Sequence, residues 1–179
     1  MPIGLTNEVL TQGVAEIAIN ERNPELLTIS TTWTGDVFLS NDGGETWHKT
    51  GLSMKVYDIH ISSYEPGQVY LGSENNGLYV SQNNGRDWRA ENSGLPPNAT
   101  IRDIFESPQY IFSIVTEPTD ERNGSFHSTI YRSDRKEIHW VQVGQTIDHL
   151  VNVGVAGEDN LIYLGTEEGL YFMEGPRAF

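Results

Sequence analysis

Ser40-Asn41-Asp42-Gly43-Gly44-Glu45-Thr46-Trp47 returns 41 residues later as Ser81-Gln82-Asn83-Asn84-Gly85-Arg86-Asp87-Trp88. A short apolar run leads into each copy, Asp36-Val37-Phe38-Leu39 into the first and Gly77-Leu78-Tyr79-Val80 into the second. A third, weaker copy begins at Ser133 and ends at Trp140, 52 residues after Ser81. Short strands repeated at a period of roughly 40–50 residues are the sequence signature of β-propeller blades.

Working outward from that turn, four strands recur in each unit. The innermost reads Val14–Ile19, then Val56–Ile61, Ile101–Phe105 and Leu150–Val155. The next reads Leu26–Ser30, Gln68–Gly72, Ile111–Val115 and Leu161–Gly165. A third ends near Leu39, Val80, Arg132 and Phe172, and a fourth carries Trp47, Trp88 and Trp140. These runs are β-branched, aromatic or alternating, and turn residues separate them. No window of helical length keeps a helical period.

The predicted fold is therefore all-β, a four-bladed propeller in one domain over residues 1–179. The blades span 13–51, 52–96, 97–145 and 146–179. The last lacks a fourth strand, because Gly175-Pro176 follows its third. Residues 7–12, Asn7-Glu8-Val9-Leu10-Thr11-Gln12, have no partner in the first blade. Pairing them beside Gly169–Phe172 closes the ring and hides a strand edge. The alternative is half of an eight-bladed propeller, completed by a second chain.

The formal charge of −14 opposes a phosphate backbone and an anionic membrane surface, so no nucleic-acid partner is expected. The absence of cysteine excludes disulfides and thiolate chemistry. No apolar run approaches the ~20 residues of a spanning helix, and the first residues lack a secretory-signal pattern, so no membrane insertion is expected. The compartment is not readable.

The repeat resembles the Asp-box, or BNR, family of β-propellers, which includes sialidases, sortilin-type receptors, photosystem II assembly factors and xyloglucan-cleaving glycosidases. The pattern Ser-x-Asp-x-Gly-x-Thr-Trp is complete at Ser40, Asp42, Gly44, Thr46 and Trp47. Ser81, Gly85 and Trp88 match in the second unit, with Asn83 and Asp87 as polar replacements. In the third, Arg135, Glu137 and His139 stand at the Asp, Gly and Thr positions. Asn23-Pro24-Glu25-Leu26-Leu27 and Asn92-Ser93-Gly94-Leu95-Pro96 extend the resemblance over nearly the whole chain. It implies that the box turns serve the fold and lie opposite the ligand face. It says little of activity, because one fold hosts many functions.

A sialidase needs an arginine cluster, yet Arg86, Arg89 and Arg135 lie in or beside box turns and the family's N-terminal arginine motif is absent. No catalytic residue is assigned. The expected function is a non-enzymatic scaffold that binds a protein partner or glycan, within a larger assembly. A compact glycoside hydrolase, with two carboxylates flanking the scissile bond, is the alternative.

The expected binding face holds Trp33, the Glu74-Asn75-Asn76 tip, the 117–128 insertion and Glu167-Glu168. The insertion adds about 11 residues to the period and carries Asp120, Glu121, Arg122, Phe126 and His127. Exposed aromatics beside carboxylates and amides suit sugar stacking or a protein contact. Glu16, Asp58, Asp103 and Asn152 align in the four innermost strands, a ring of oxygens suited to an axial cation such as calcium. No other cofactor is expected.

Overall fold

The computed structural model describes residues 12–120, 125–157 and 161–175. Among these the chain forms four antiparallel sheets, each a simple up-and-down meander. The first runs β1 (Val14–Ile19), β2 (Leu27–Thr31), β3 (Asp36–Ser40) and β4 (His48–Ser53). The second runs β5 (Val56–Ile61), β6 (Val69–Ser73), β7 (Leu78–Ser81) and β8 (Arg89–Ala90). The third runs β9 (Thr100–Glu106), β10 (Tyr110–Asp120), β11 (Ser125–Asp134) and β12 (Val141–Ile147). The last has three strands among the described residues, β13 (Val151–Ala156), β14 (Leu161–Thr166) and β15 (Gly169–Glu174). No described helix is long and apolar enough to cross a membrane.

The chain divides into two compact units. One holds the first two sheets; the other holds the last two together with the Glu74–Gly77 turn. In the first unit, Val37 of β3 is buried with Val56 and Ile59 of β5 and Val69 and Leu71 of β6, and Ala18 and Leu52 pack against them. In the second, Phe105, Phe112, Ile114, Ile130 and Val143 of the third sheet share a core with Val151, Ile162 and Leu164 of the last. Phe105 and Phe112 stack with centroids 5.0 Å apart. Gly154 of β13 lets this stack approach, since a Cβ there would stand 2.3 Å from the Phe105 ring. Each such buried side chain contributes roughly 1.5–3 kcal/mol, which holds sheet on sheet within each unit.

Every innermost strand carries a bulge near its start. The ladders skip a residue between Val14 and Glu16, between Val56 and Asp58, between Ile101 and Asp103, and between Val151 and Val153. A bulge adds one unpaired residue and displaces the rest of the strand by one place. Glu16, Asp58 and Asp103 pair with Ser30, Gly72 and Ile114, and the residue in the same ladder position of the last sheet is Val153, paired with Gly165. Asn152 is the bulged residue itself, one place off the position that sequence alignment gives it.

The described residues of the 117–128 insertion extend β10 and β11, pairing Thr116 with Ser128, Glu117 with His127, Pro118 with Phe126 and Asp120 with Ser125. The extra residues lengthen a hairpin. Glu121 and Arg122 lie outside the described residues, as do residues 7–11 of the expected closing strand. Gln12 sits beside the first sheet, where Thr34 Oγ1 donates to its Oε1 at 2.5 Å.

Candidate functional site

Trp33 is 81% exposed, the most exposed large apolar side chain among the described residues. It stands on the β2–β3 turn, which a polar network holds. Thr31 Oγ1 accepts from Asp36 N at 3.0 Å and lies 2.9 Å from Thr34 Oγ1. Ser53 Oγ donates to Thr34 O at 2.9 Å, and Met54 N donates to Gly35 O at 2.9 Å. Gly35 adopts φ +66°, and a Cβ there would meet Met54 O at 2.2 Å, so only glycine fits the turn. Asp36 is buried and accepts from Lys49 Nζ at 2.7 Å. Burial pulls the Asp36 carboxyl upward, but hydrogen bonds from Lys49, Ser53 and Thr34, with the Lys49 charge, outweigh it and hold it below its ordinary value. The indole is thus displayed on a turn fixed from beneath. The pairing of Asp36 with Lys49 and Ser53 crosses from β3 to β4 and has no local signature in the sequence.

The remaining candidates on the expected binding face lie in the other unit. Asn75 takes a left-handed conformation, φ +59°, and its backbone N–H donates to Thr100 Oγ1 at 3.1 Å. Thr100 Oγ1 returns a bond to Asn75 Oδ1 at 3.1 Å. Asn76 Nδ2 donates to Glu74 O, and Asn92 Nδ2 to Asn76 O. The amides of this tip are therefore engaged in holding the turn. On the hairpin, His127 Nε2 lies 3.2 Å from Glu117 Oε2, and Phe126 of the same strand is partly exposed. Glu168 Oε2 lies 3.4 Å from His149 Nε2, and the backbone of Glu168 donates to Thr166 Oγ1. Glu167 is exposed on the same turn.

The four proposed axial residues are divided between the two units. Glu16 and Asp58 belong to the first unit, Asp103 and Asn152 to the second. Asp103 Oδ2 accepts from Gly154 N at 2.7 Å, which ties β9 to β13. Asn152 Oδ1 accepts from Arg102 Nη2 at 3.3 Å, joining two bulged positions of neighbouring sheets. Among the described residues, no group of three or more His, Asp or Glu side chains is arranged to hold a metal.

The box turns carry the densest hydrogen bonding. In the first, Ser40 Oγ donates to Asp42 Oδ1 at 2.7 Å and accepts from Gly44 N at 2.8 Å. Asp42 accepts from Thr46 N at 2.9 Å and from the Thr46 hydroxyl. Those Thr46 bonds, with that from Ser40, lower the Asp42 carboxyl to about 2. Trp47 is half-buried and donates its indole N–H to Gly44 O at 3.0 Å. The second box keeps the frame, with Gly85 N on Ser81 Oγ at 2.8 Å and Asp87 N on Asn83 Oδ1 at 2.9 Å. Its side-chain bond is reversed, since Asn83 Nδ2 donates to Asp87 Oδ2 at 2.8 Å. Thr46→Asp42 and Asn83→Asp87 are the same link with donor and acceptor exchanged. Substituting N83D alone is expected to set two carboxylates face to face and cost about 1–2 kcal/mol. Adding D87T restores the arrangement of the first box and should recover most of that loss in urea unfolding. A neutral N83D variant would contradict this reading.

Solved structures of GH74 proteins share this fold. An ancestral GH74 enzyme superposes with a TM-score of 0.68 at 22% identity, over 91% of this chain and 27% of that one. The GH74 xyloglucanase from Xanthomonas campestris gives 0.68 at 15% identity, over 96% of this chain and 30% of that one. The fold is propeller-like. The chain spans less than a third of the length of either GH74 structure. YCF48 from Cyanidioschyzon merolae aligns more loosely, with a TM-score of 0.40 at 13% identity over 93% of this chain and 68% of that one. No protein-family model matches the chain, and no curated protein matches it.

In this propeller-like frame the third box is rebuilt. Ser133 Oγ accepts from His139 N at 2.7 Å, but Arg135 replaces the acidic residue and is buried. Its guanidinium donates to Ser107 O at 2.6 Å, to Tyr110 O at 3.2 Å and to Pro108 O, so it binds the β9–β10 turn. Trp140 is 2% exposed, and its indole N–H reaches Glu91 O at 2.8 Å. Arg135 and Trp140 are structural groups.

Proposed function

We propose that this chain is a non-enzymatic binding module of the Asp-box propeller type, a rigid scaffold that recognises a glycan or a protein partner. The observation that carries the reading is Trp33, an exposed indole on a turn fixed by glycine geometry and by the bond from Lys49 to the buried Asp36. A rigid aromatic loses little entropy when it is covered, and it offers a flat apolar face to a sugar ring or an interface pocket. The box turns support the scaffold half of the reading, since Asp42 and Asn83 bond within their own turns and Arg135 binds the backbone of another turn.

The second reading is a compact glycoside hydrolase. The GH74 likeness brings it forward, although at this identity that likeness speaks for fold alone. It requires two carboxylates free to flank a scissile bond. Glu117 and Glu168 each face a histidine.

The binding reading is tested by titrating xyloglucan oligosaccharides and a printed glycan array against the natural chain and a Trp33→Ala variant. Binding should weaken at least tenfold in the variant, with the melting temperature nearly unchanged, because the side chain is exposed. Binding indifferent to Trp33 would contradict the assignment.

A further inference from the structure

The turn from β1 to β2 fixes the orientation of its own amides. Asn20 Oδ1 accepts from Arg22 N and from Asn23 N, each at 3.0 Å, and Asn23 Oδ1 accepts from Glu25 N at 3.4 Å. With both carbonyl oxygens engaged, each side chain has its N–H donors left for another partner. Among the described residues neither Nδ2 has one, and the exposed Arg22 guanidinium makes no ion pair or hydrogen bond.

This turn faces the second box across a hollow of about 390 Å³, all within the first unit. That volume lies in the range of small-molecule sites, ~300–1,000 Å³. Asn20, Arg22 and Asn23 line it from the first sheet, Gln82 and Asn84 from the second, and Leu26 adds apolar surface. The side-chain amides of Gln82 and Asn84 are also without a partner among the described residues. The walls are held by backbone bonds, Leu26 N to Asn23 O at 2.9 Å and Asn84 N to Gly67 O at 2.8 Å. In a chain of formal charge −14, no carboxylate lines this hollow among the described residues. Glu21 lines an adjoining hollow of about 230 Å³.

We propose that the 390 Å³ hollow binds a hydroxylated carboxylic acid the size of one sugar ring, such as a hexuronic acid. The planar guanidinium of Arg22 meets a carboxylate with two parallel bonds. The amide N–H groups meet hydroxyl and ring oxygens, and the amide oxygens of Gln82 and Asn84 accept from hydroxyls. One guanidinium balances one carboxylate; the second charge of a phosphate would be left without a cation. Repulsion from the rest of the acidic surface is largely screened beyond ~8 Å at physiological ionic strength. Because the walls are held before the ligand arrives, little order is lost on binding. The hollow lies at the opposite end of β2 from Trp33 and is independent of the Trp33 reading.

Isothermal titration calorimetry of the 179-residue chain with glucuronate is the test, with glucose, acetate and inorganic phosphate in parallel. Glucuronate should bind about tenfold tighter or more than each of the three, the effect of a charge-assisted bond backed by neutral ones. Arg22→Gln keeps an amide and removes the charge, and it should bring glucuronate to the level of glucose. Asn84→Gly removes the amide but suits the left-handed backbone at φ +61°, and it should weaken binding severalfold. Both variants should keep the melting temperature of the natural chain, and Trp33→Ala should leave glucuronate binding unchanged. Glucuronate bound no tighter than glucose or acetate, phosphate bound as tightly, binding indifferent to Arg22→Gln, or binding lost with Trp33→Ala overturns the proposal.

Discussion

Trp140→Ala is expected to destabilise the second unit by about 3–5 kcal/mol, the range for truncating a fully buried large aromatic. Trp140 is among the largest fully buried side chains of the protein. Its loss leaves a cavity behind β12. It also strips Glu91 O of the indole N–H that reaches it from 49 positions along the chain. The backbone of Trp140 meanwhile donates to Ser93 O at 2.8 Å, so this residue pins the 91–95 segment by two bonds. Urea unfolding checks the size of the effect, and Trp47→Ala is the control. Trp47 is half-buried and bonds only within its own turn, so its loss should cost clearly less. Equal effects at the two positions would contradict this account of the third repeat.

Arg135→Ala is expected to cost about 2–4 kcal/mol, because three carbonyls lose a charged donor at a buried site. The three acceptors, on Ser107, Pro108 and Tyr110, belong to one turn, and a planar guanidinium meets them together. Arg135→Lys should therefore recover less than half of the loss, since a single ammonium on a flexible stem cannot match the fork. Thermal and urea midpoints of the two variants decide the point. A lysine variant as stable as the natural chain would show that charge alone is needed.

These two residues also mark where the sequence stops being legible. The strands are readable because β-branched and aromatic residues alternate, and the first two box turns because Ser40, Gly44, Ser81 and Gly85 keep their spacing. The third box reads as degenerate. Arg135 has left the local pattern to bind a turn some 25 residues earlier, and a partner at that distance leaves no mark beside it. The last innermost strand fails differently. Reading it from Leu150 sets Asn152 beside Glu16, Asp58 and Asp103, whereas the ladder begins it at Val151 and puts Val153 in their position. The 117–128 insertion is visible as a change of period, whereas its form as a lengthened hairpin depends on cross-strand pairs such as Glu117 with His127. At the candidate site, Trp33 is visible as a residue. The Asp36–Lys49 pair that fixes its turn joins separate strands and is not.

The most direct test of the central claim, a binding module without hydrolytic chemistry, is incubation of the purified chain with xyloglucan while reducing ends are counted over time. The account predicts no release above the polymer blank at any enzyme-like concentration. Steady release of reducing ends, abolished when Glu167 and Glu168 are replaced by glutamine, would contradict it.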